Sequence, residues 1–178
     1  CQTLIAGDIS KLRIKLVALD SNGIWSEVSD GAYSPLLRRP NHFQNRNQFL
    51  ESWVLSKLQR GNTYILKRRD GRNAVTALYV LNPDLVTPLV ADNGDVYYEL
   101  NADNLSGLKE RLIVPASEII HDRYNCFFHP LVGLSPIYAN GIAAMQGDAI
   151  QQASTKLFQN GARPGGILTA PGDRKSVV

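Results

Sequence analysis

Two apolar runs, Thr63–Arg69 and Asn73–Leu81, flank the pair Asp70-Gly71. This arrangement limits the fold more than any other feature of the chain. A two-residue reversal needs positive φ, which Gly and Asp tolerate, so the pair between two strand-forming runs predicts an antiparallel hairpin. The same stretch places Lys67, Arg68, Arg69 and Arg72 around the reversal. Across residues 57–72, six cations stand against Asp70 alone, a local +5 within a net charge of +3, so the remainder sums to −2. A local patch of this kind attracts polyanions even on a nearly neutral protein. A charged hairpin tip also discourages edge-to-edge strand pairing. At this point both a nucleic-acid hook and a solvated turn are open readings.

The neighbouring segments predict more hairpins and separate helices. Leu85–Val90 and Val96–Leu100 form a second hairpin about Asp92-Asn93-Gly94-Asp95. Residues 101–110 are polar and read as a loop. Leu112–Val114 is then a short strand, Pro115-Ala116-Ser117-Glu118 a helical turn, and Ile119–Tyr124 another strand. Upstream, Lys11–Leu19 alternates apolar and charged residues, a half-buried strand that ends at the turn Asp20-Ser21-Asn22-Gly23. Tyr33–Leu37 reads as a short helix closed by Arg38-Arg39-Pro40-Asn41. In NRNQFLESWVLSKLQRG, Asn45 or Asn47 caps a helix whose residues Phe49, Leu50, Trp53, Val54 and Leu58 share a face, and Gly61 stops it.

Near the C-terminus, Ser135 as cap and Pro136 at the first helical position start a long helix that ends at Asn160-Gly161, with Pro164 beyond. Ile142, Met145, Ala149, Ile150, Ala153, Leu157 and Phe158 recur at helical spacing, and this stripe is expected to pack on the sheet made by the two hairpins. Gly141 and Gly147 weaken the helix by about 1 kcal/mol each relative to Ala, which places a kink near Asn140-Gly141. Gly165–Ala170 is expected to be a final strand. The fold class is therefore α+β, antiparallel hairpins packed against amphipathic helices with a long helix near the C-terminus. The expected organisation is one domain, with a mixed region over 1–134, the helix over 135–161 and a strand or tail over 162–178.

The 178 residues are 44% hydrophobic and 20% charged, ordinary values for a globular protein with a real core. No apolar run approaches the roughly 20 residues of a membrane-spanning helix, and no basic segment precedes a long apolar one. Leu4, Ile5, Ile9 and Leu12 follow helical spacing with no cap before them, so the chain reads as a piece of a longer polypeptide. Its two cysteines, Cys1 and Cys126, are expected to be free thiols. His121, Cys126 and His129 resemble a metal constellation, but the nearest fourth ligand is Asp122 on an apparent strand, and no metal is expected. GLSPI has Ile137 where a nucleophile elbow needs Gly. GARPGG lacks the Lys-Ser/Thr of a phosphate loop. No catalytic residue, no cofactor and no ATP hydrolysis are expected.

Six motifs in order carry a resemblance: LIAGDISKLRIKLV; SPLLRRPN; QRGNTYILKRRDGR followed by VTALYVLNPDLVTP; PASEIIHDR; VGLSPIYA; and FQNGARPGGILTAPG. The sequence resembles the portal proteins of tailed bacteriophages, in the family named after phage HK97, from about Leu4 to Gly172. It departs at Gly165, where Ser or Ala is as readily expected, and in NCFFHP. The resemblance implies a wing-like portal region of a structural protein. It implies a homo-oligomeric ring, usually of twelve subunits, at one vertex of the capsid, with double-stranded DNA passing through its channel without sequence reading. Terminase, head–tail connector proteins and the major capsid protein are the implied partners. The implied location is the virion of a phage or prophage, with assembly in the host cytoplasm. Lys67, Arg68, Arg69 and Arg72 would serve polyanion or inter-subunit contacts. The alternative is a small nucleic-acid-binding module built on residues 67–72; neutralising four phosphates would give a log K against log salt slope of about −3.6.

Overall fold

The computed structural model describes residues 1–29, 31 and 33–161. The chain divides into two compact units, Cys1–Ala139 and Asn140–Val178, the second described through Gly161. The expected strand at Gly165–Ala170 lies outside the described residues.

The first unit is built around β3 (Asn62–Arg69), which pairs antiparallel with β4 (Val75–Leu81) on one side and β8 (Ile119–Arg123) on the other. A second antiparallel sheet has the order β5 (Val86–Val90), β6 (Val96–Leu100), β7 (Leu112–Pro115). Alternate residues of a strand face opposite sides, and both sides of β3 are occupied. Tyr64 and Leu66 join Leu81, Tyr98, Leu100, Leu108, Val114 and Ile119 in a core between the two sheets. Ile65 on the opposite side joins Phe49 and Leu50, with Trp53, Leu78, Val80 and Ile120 around them. Residues 63–66 are accordingly buried without a break, the pattern of a strand covered twice. The result is three layers: α3 (Arg46–Arg60), the β3 sheet, and the β5–β7 sheet.

The ends of α3 follow their sequence signals. Asn45 accepts from the Gln48 N–H while the Gln48 side chain accepts from the Asn45 N–H, a capping box that satisfies two donors the helix leaves free. Gly61 closes the helix in the left-handed region at φ 76°. Its position has a second reason. A Cβ built on Gly61 would lie 2.4 Å from the Gly133 carbonyl oxygen, and one built on Gly133 would lie 2.1 Å from that of Gly61. Two backbones touch here. Tyr124 donates its N–H to the Gly61 carbonyl, and Asn62 pairs with both the N–H and the C=O of Gly133.

Three hairpin loops share one geometry. In DSNGI, DGRNA and ADNGD the first residue donates its N–H to the carbonyl of the fifth, and the fourth donates back to the first. The fourth residue is left-handed in each: Gly23, Asn73 and Gly94. The expected two-residue turn at Asp70-Gly71 is therefore a five-residue loop, with the positive φ at Asn73 rather than at Gly71. Asp70 Oδ1 accepts from the N–H groups of Arg72 and Ala74 and fixes this conformation. A bulge between Arg68 and Arg69 absorbs the extra residue, so β4 starts at Val75 instead of Asn73.

Three further expectations are corrected. Only Val17–Leu19 of the segment 11–19 is a strand (β1); it pairs with Trp25–Glu27 (β2) and both are exposed, so the half-buried strand is absent. The C-terminal helix is not continuous. It breaks at Asn140 into α4 (Pro136–Ala139) and α5 (Gly141–Gln159), at the point where two helix-weakening positions adjoin. Ser135 still starts α4: its Oγ accepts the Ile137 N–H and donates to the Leu58 carbonyl at the end of α3. The apolar stripe of α5 is not buried, with Met145 74%, Ile150 67% and Phe158 75% exposed. Within the first unit both faces of the β3 sheet are occupied, one by α3 and one by the second sheet. The N-terminal helix α1 (Gln2–Ser10) likewise turns small residues, Ala6 and Ser10, inward and leaves Leu4, Ile5 and Ile9 exposed.

Candidate polyanion interface

The four cations of the hairpin have different surroundings. Arg69 Nε donates to both carboxylate oxygens of Glu118 at 3.1 and 2.9 Å, and Nη1 donates to the Asn73 carbonyl at 2.9 Å. Both side chains of the pair are only 27% exposed. Arg69 thus fastens the tip to the 3₁₀ turn Ala116–Glu118, and its charge is neutralised within the chain. Arg68 is exposed, and its guanidinium lies 3.7–3.8 Å from where a Gly107 Cβ would stand. Lys67 is half-buried and Arg72 is exposed at the loop. Among the described residues Lys67, Arg68 and Arg72 make no ion pair. Among the described residues, therefore, Arg69 is the one cation of the four that a carboxylate pairs.

That division sets an expectation. Arg69→Gln removes a charge-assisted bond and strands Glu118, and should cost about 1 kcal/mol. Lys67→Gln, Arg68→Gln and Arg72→Gln should each stay within about 0.5 kcal/mol. Chemical denaturation of the four single variants checks this; equal effects would show that Arg69 is no anchor.

The residues once grouped as a metal constellation lie apart in role. His121 stacks on Tyr64, with ring centroids 4.3 Å apart. Its Nε2 faces Asn62 Oδ1 at 3.1 Å, and that oxygen already accepts from the Gly133 N–H. The oxygen is an acceptor, so Nε2 carries the proton and Nδ1 accepts the Tyr98 hydroxyl at 3.0 Å. Burial first, and nearby Arg123 second, pull the His121 imidazole down to about 4, while burial pushes the Tyr64 phenol up to about 12. Asp122 accepts from Trp53 Nε1 at 2.8 Å and Lys57 Nζ at 2.7 Å, tying β8 to α3. Cys126 is an exposed thiol, and His129 Nδ1 accepts the Leu131 N–H. These side chains border an open hollow with Phe127 and Phe128, where Arg123 donates to the Pro130 carbonyl. Among the described residues no group of three potential ligands is placed to hold a metal ion.

The His121 junction predicts a pH dependence. Its folded value is depressed below the ordinary 6.5, so between about 6.5 and 4 the unfolded chain binds a proton that the folded chain does not. Stability is full above 6.5 and falls as the pH drops towards 4, by roughly 2 kcal/mol after discounting for partial exposure. Urea titrations from pH 7 to 4 should show this loss, smaller in His121→Asn; an equal loss in the variant would assign it elsewhere.

Three comparisons bear on the whole chain. A family model described as phage portal protein matches residues 1–177. An uncharacterized protein of Rickettsia bellii is 32% identical over 174 residues, and one of Rickettsia felis is 30% identical over 178. Each match covers 94% of this chain and 43% of the relative, so the chain spans about two fifths of those proteins. Among solved structures, the neck of an empty GTA particle computed with C6 symmetry is 26% identical, with a TM-score of 0.62 over 75% of this chain and 36% of that one. The neck of the native GTA particle computed with C12 symmetry gives 21% identity and a TM-score of 0.67 over 99% of this chain and 46% of that one. The virion of the native gene transfer agent gives 20% and 0.68, over 92% and 41%.

The α+β architecture with antiparallel sheets and a C-terminal helix is therefore a fold shared with subunits of particle necks. The chain belongs to the phage portal protein family.

Proposed function

We propose that this chain is the wing-like part of a structural portal subunit, which forms a homo-oligomeric ring of twelve copies at the capsid vertex of a virion. Double-stranded DNA passes through the channel of such a ring without being read, and terminase, connector proteins and the major capsid protein dock on it. The observation that carries the reading is the family match along residues 1–177. The geometry supports it: an α5 face with Met145, Ile150 and Phe158 exposed is suited to cover by a neighbouring copy. The C6 and C12 necks among the structural neighbours support the ring. No described helix is long and apolar enough to cross a membrane.

The three unpaired cations then form a belt, one tip per subunit, that meets phosphates or an acidic neighbour. Such contacts are independent of base sequence and weaken with salt. The competing reading is a free-standing nucleic-acid-binding module, favoured by the same cations. With Arg69 held by Glu118, only three phosphates can be neutralised, so a dedicated module would show a log K against log salt slope of about −2.7. Measured on this chain with random duplex DNA, the portal reading expects binding too weak to yield such a slope. Tight binding at that slope, lost in the Lys67/Arg68/Arg72→Gln variant, would favour the module.

A further inference from the structure

By the alternation of a strand, Tyr64, Leu66 and Arg68 point to the same side of β3. Tyr64 and Leu66 lie in the core between the two sheets, together with Leu108. Arg68 continues that row and stands exposed at the rim of the core. There its guanidinium meets Gly107, the neighbour of Leu108. The position of a Gly107 Cβ is 3.7 Å from Arg68 Nη1 and 3.8 Å from both Cζ and Nη2. Distances this equal require a face-on approach, because an edge-on guanidinium would hold its carbon farther away than its terminal nitrogens. One flat face of the ion therefore rests on the glycine. The N–H groups lie in the plane of the ion and point past it.

The surface under the guanidinium is fixed. Asp103 and Leu108 exchange backbone bonds, and the Gly107 N–H donates to the Asn104 carbonyl. Gly107 is left-handed at φ 78°, a conformation in which glycine places no side chain against the arginine. Asp103 holds the one carboxylate of residues 103–108, and its Oδ1 accepts the Leu105 N–H. Three other exposed arginines of the first unit are occupied. Arg39, just after α2 (Tyr33–Arg38), donates to the His42 carbonyl, Arg60 pairs with Asp84, and Arg123 donates to the Pro130 carbonyl. Among the described residues the Arg68 guanidinium has no such partner.

We infer that Arg68 is the fork of the tip: it grips a phosphodiester group of a nucleic-acid backbone through two parallel N–H···O bonds, held ready for it by Gly107. The inference rests on the polyanion reading of the tip proposed above. A planar ion already laid against a surface loses little freedom on binding, and its paired donors match two phosphate oxygens as a Lys ammonium cannot. The surrounding charge favours phosphate over a single carboxylate. One carboxylate needs one cation, as Glu118 and Arg69 show. Lys67, Arg72 and Lys109, the last two residues beyond Gly107, add three cations that make no ion pair among the described residues. Repeated cations suit a ligand whose anions also repeat, about one per 1.7 Å of duplex axis.

The test measures binding of labelled random duplex DNA to the full-length protein by fluorescence anisotropy across a range of salt. Arg68→Lys keeps the charge and the aliphatic stem; it should weaken binding about tenfold while the slope against salt stays the same. Arg72→Lys should change binding less than about twofold. Equal losses from the two variants overturn the fork alone. An Arg68→Lys loss that tracks a fall in melting temperature makes Arg68 a structural plug of the core rim and also overturns it. Inorganic polyphosphate should displace the DNA at lower charge concentration than polyglutamate; equal displacement assigns the fork to carboxylates, against the proposal. Unchanged binding by the Lys67/Arg68/Arg72→Gln variant overturns both the fork and the polyanion reading of the tip.

Discussion

Gly133→Ala should lower the melting temperature of this chain by roughly 10 °C. The methyl carbon would sit 2.1 Å from the Gly61 carbonyl oxygen and 2.7 Å from that of Tyr124. Both oxygens belong to backbone, so no side chain can swing aside, and the segments at the end of α3 and after β8 that carry them must separate. That separation would break the Tyr124 N–H bond to Gly61 and the pairing of Asn62 with Gly133. A buried clash combined with lost buried bonds costs about 3–4 kcal/mol, and each kcal/mol shifts melting by about 2–4 °C at this size. Calorimetry of the chain with and without the substitution decides it. A shift below about 2 °C would mean that the two backbones are not in contact.

Ile150→Asp should leave the melting of the single chain within about 0.5 kcal/mol of the parent and abolish ring formation by the full-length protein. Ile150 is 67% exposed, so the new carboxylate stays in water and meets no desolvation cost. In the proposed ring the same face is covered by a neighbour, and there an unpaired charge would be buried at several kcal/mol per contact. Repeated round a closed ring, that cost is prohibitive. Parallel thermal melts and size-exclusion chromatography give both halves of the result. A chain that melts far lower would return the stripe to an internal interface, and rings that survive would place it outside the assembly contact.

These two expectations mark where the sequence was informative. The helix Arg46–Arg60 was legible because its signals are local: Asn45 and Gln48 lie within one turn of each other, and Gly61 ends it. The β3–β4 and β5–β6 hairpins were legible because strand period and turn residues agree, whereas the short strand Trp25–Glu27 was not. The role of Gly133 was not, since its neighbour Gly61 is 72 positions away and no local pattern announces a contact between backbones. Helical periodicity showed that α5 has an apolar stripe but carries no information about what covers it. The charge count treated Lys67, Arg68, Arg69 and Arg72 as equals; Glu118, which distinguishes Arg69, is distant in sequence. At DGRN the obvious glycine drew the turn assignment, whereas Asn73, which also tolerates a left-handed backbone, takes the position. The family resemblance rested on motif order, and the match over residues 1–177 agrees with it.

The proposed role makes the full-length protein a ring subunit. Negative-stain electron microscopy of the purified full-length protein tests it most directly. End-on views should show closed rings with a central channel and twelvefold symmetry. Uniform particles of single subunits, across the concentrations and salt conditions at which the protein stays folded, would contradict it.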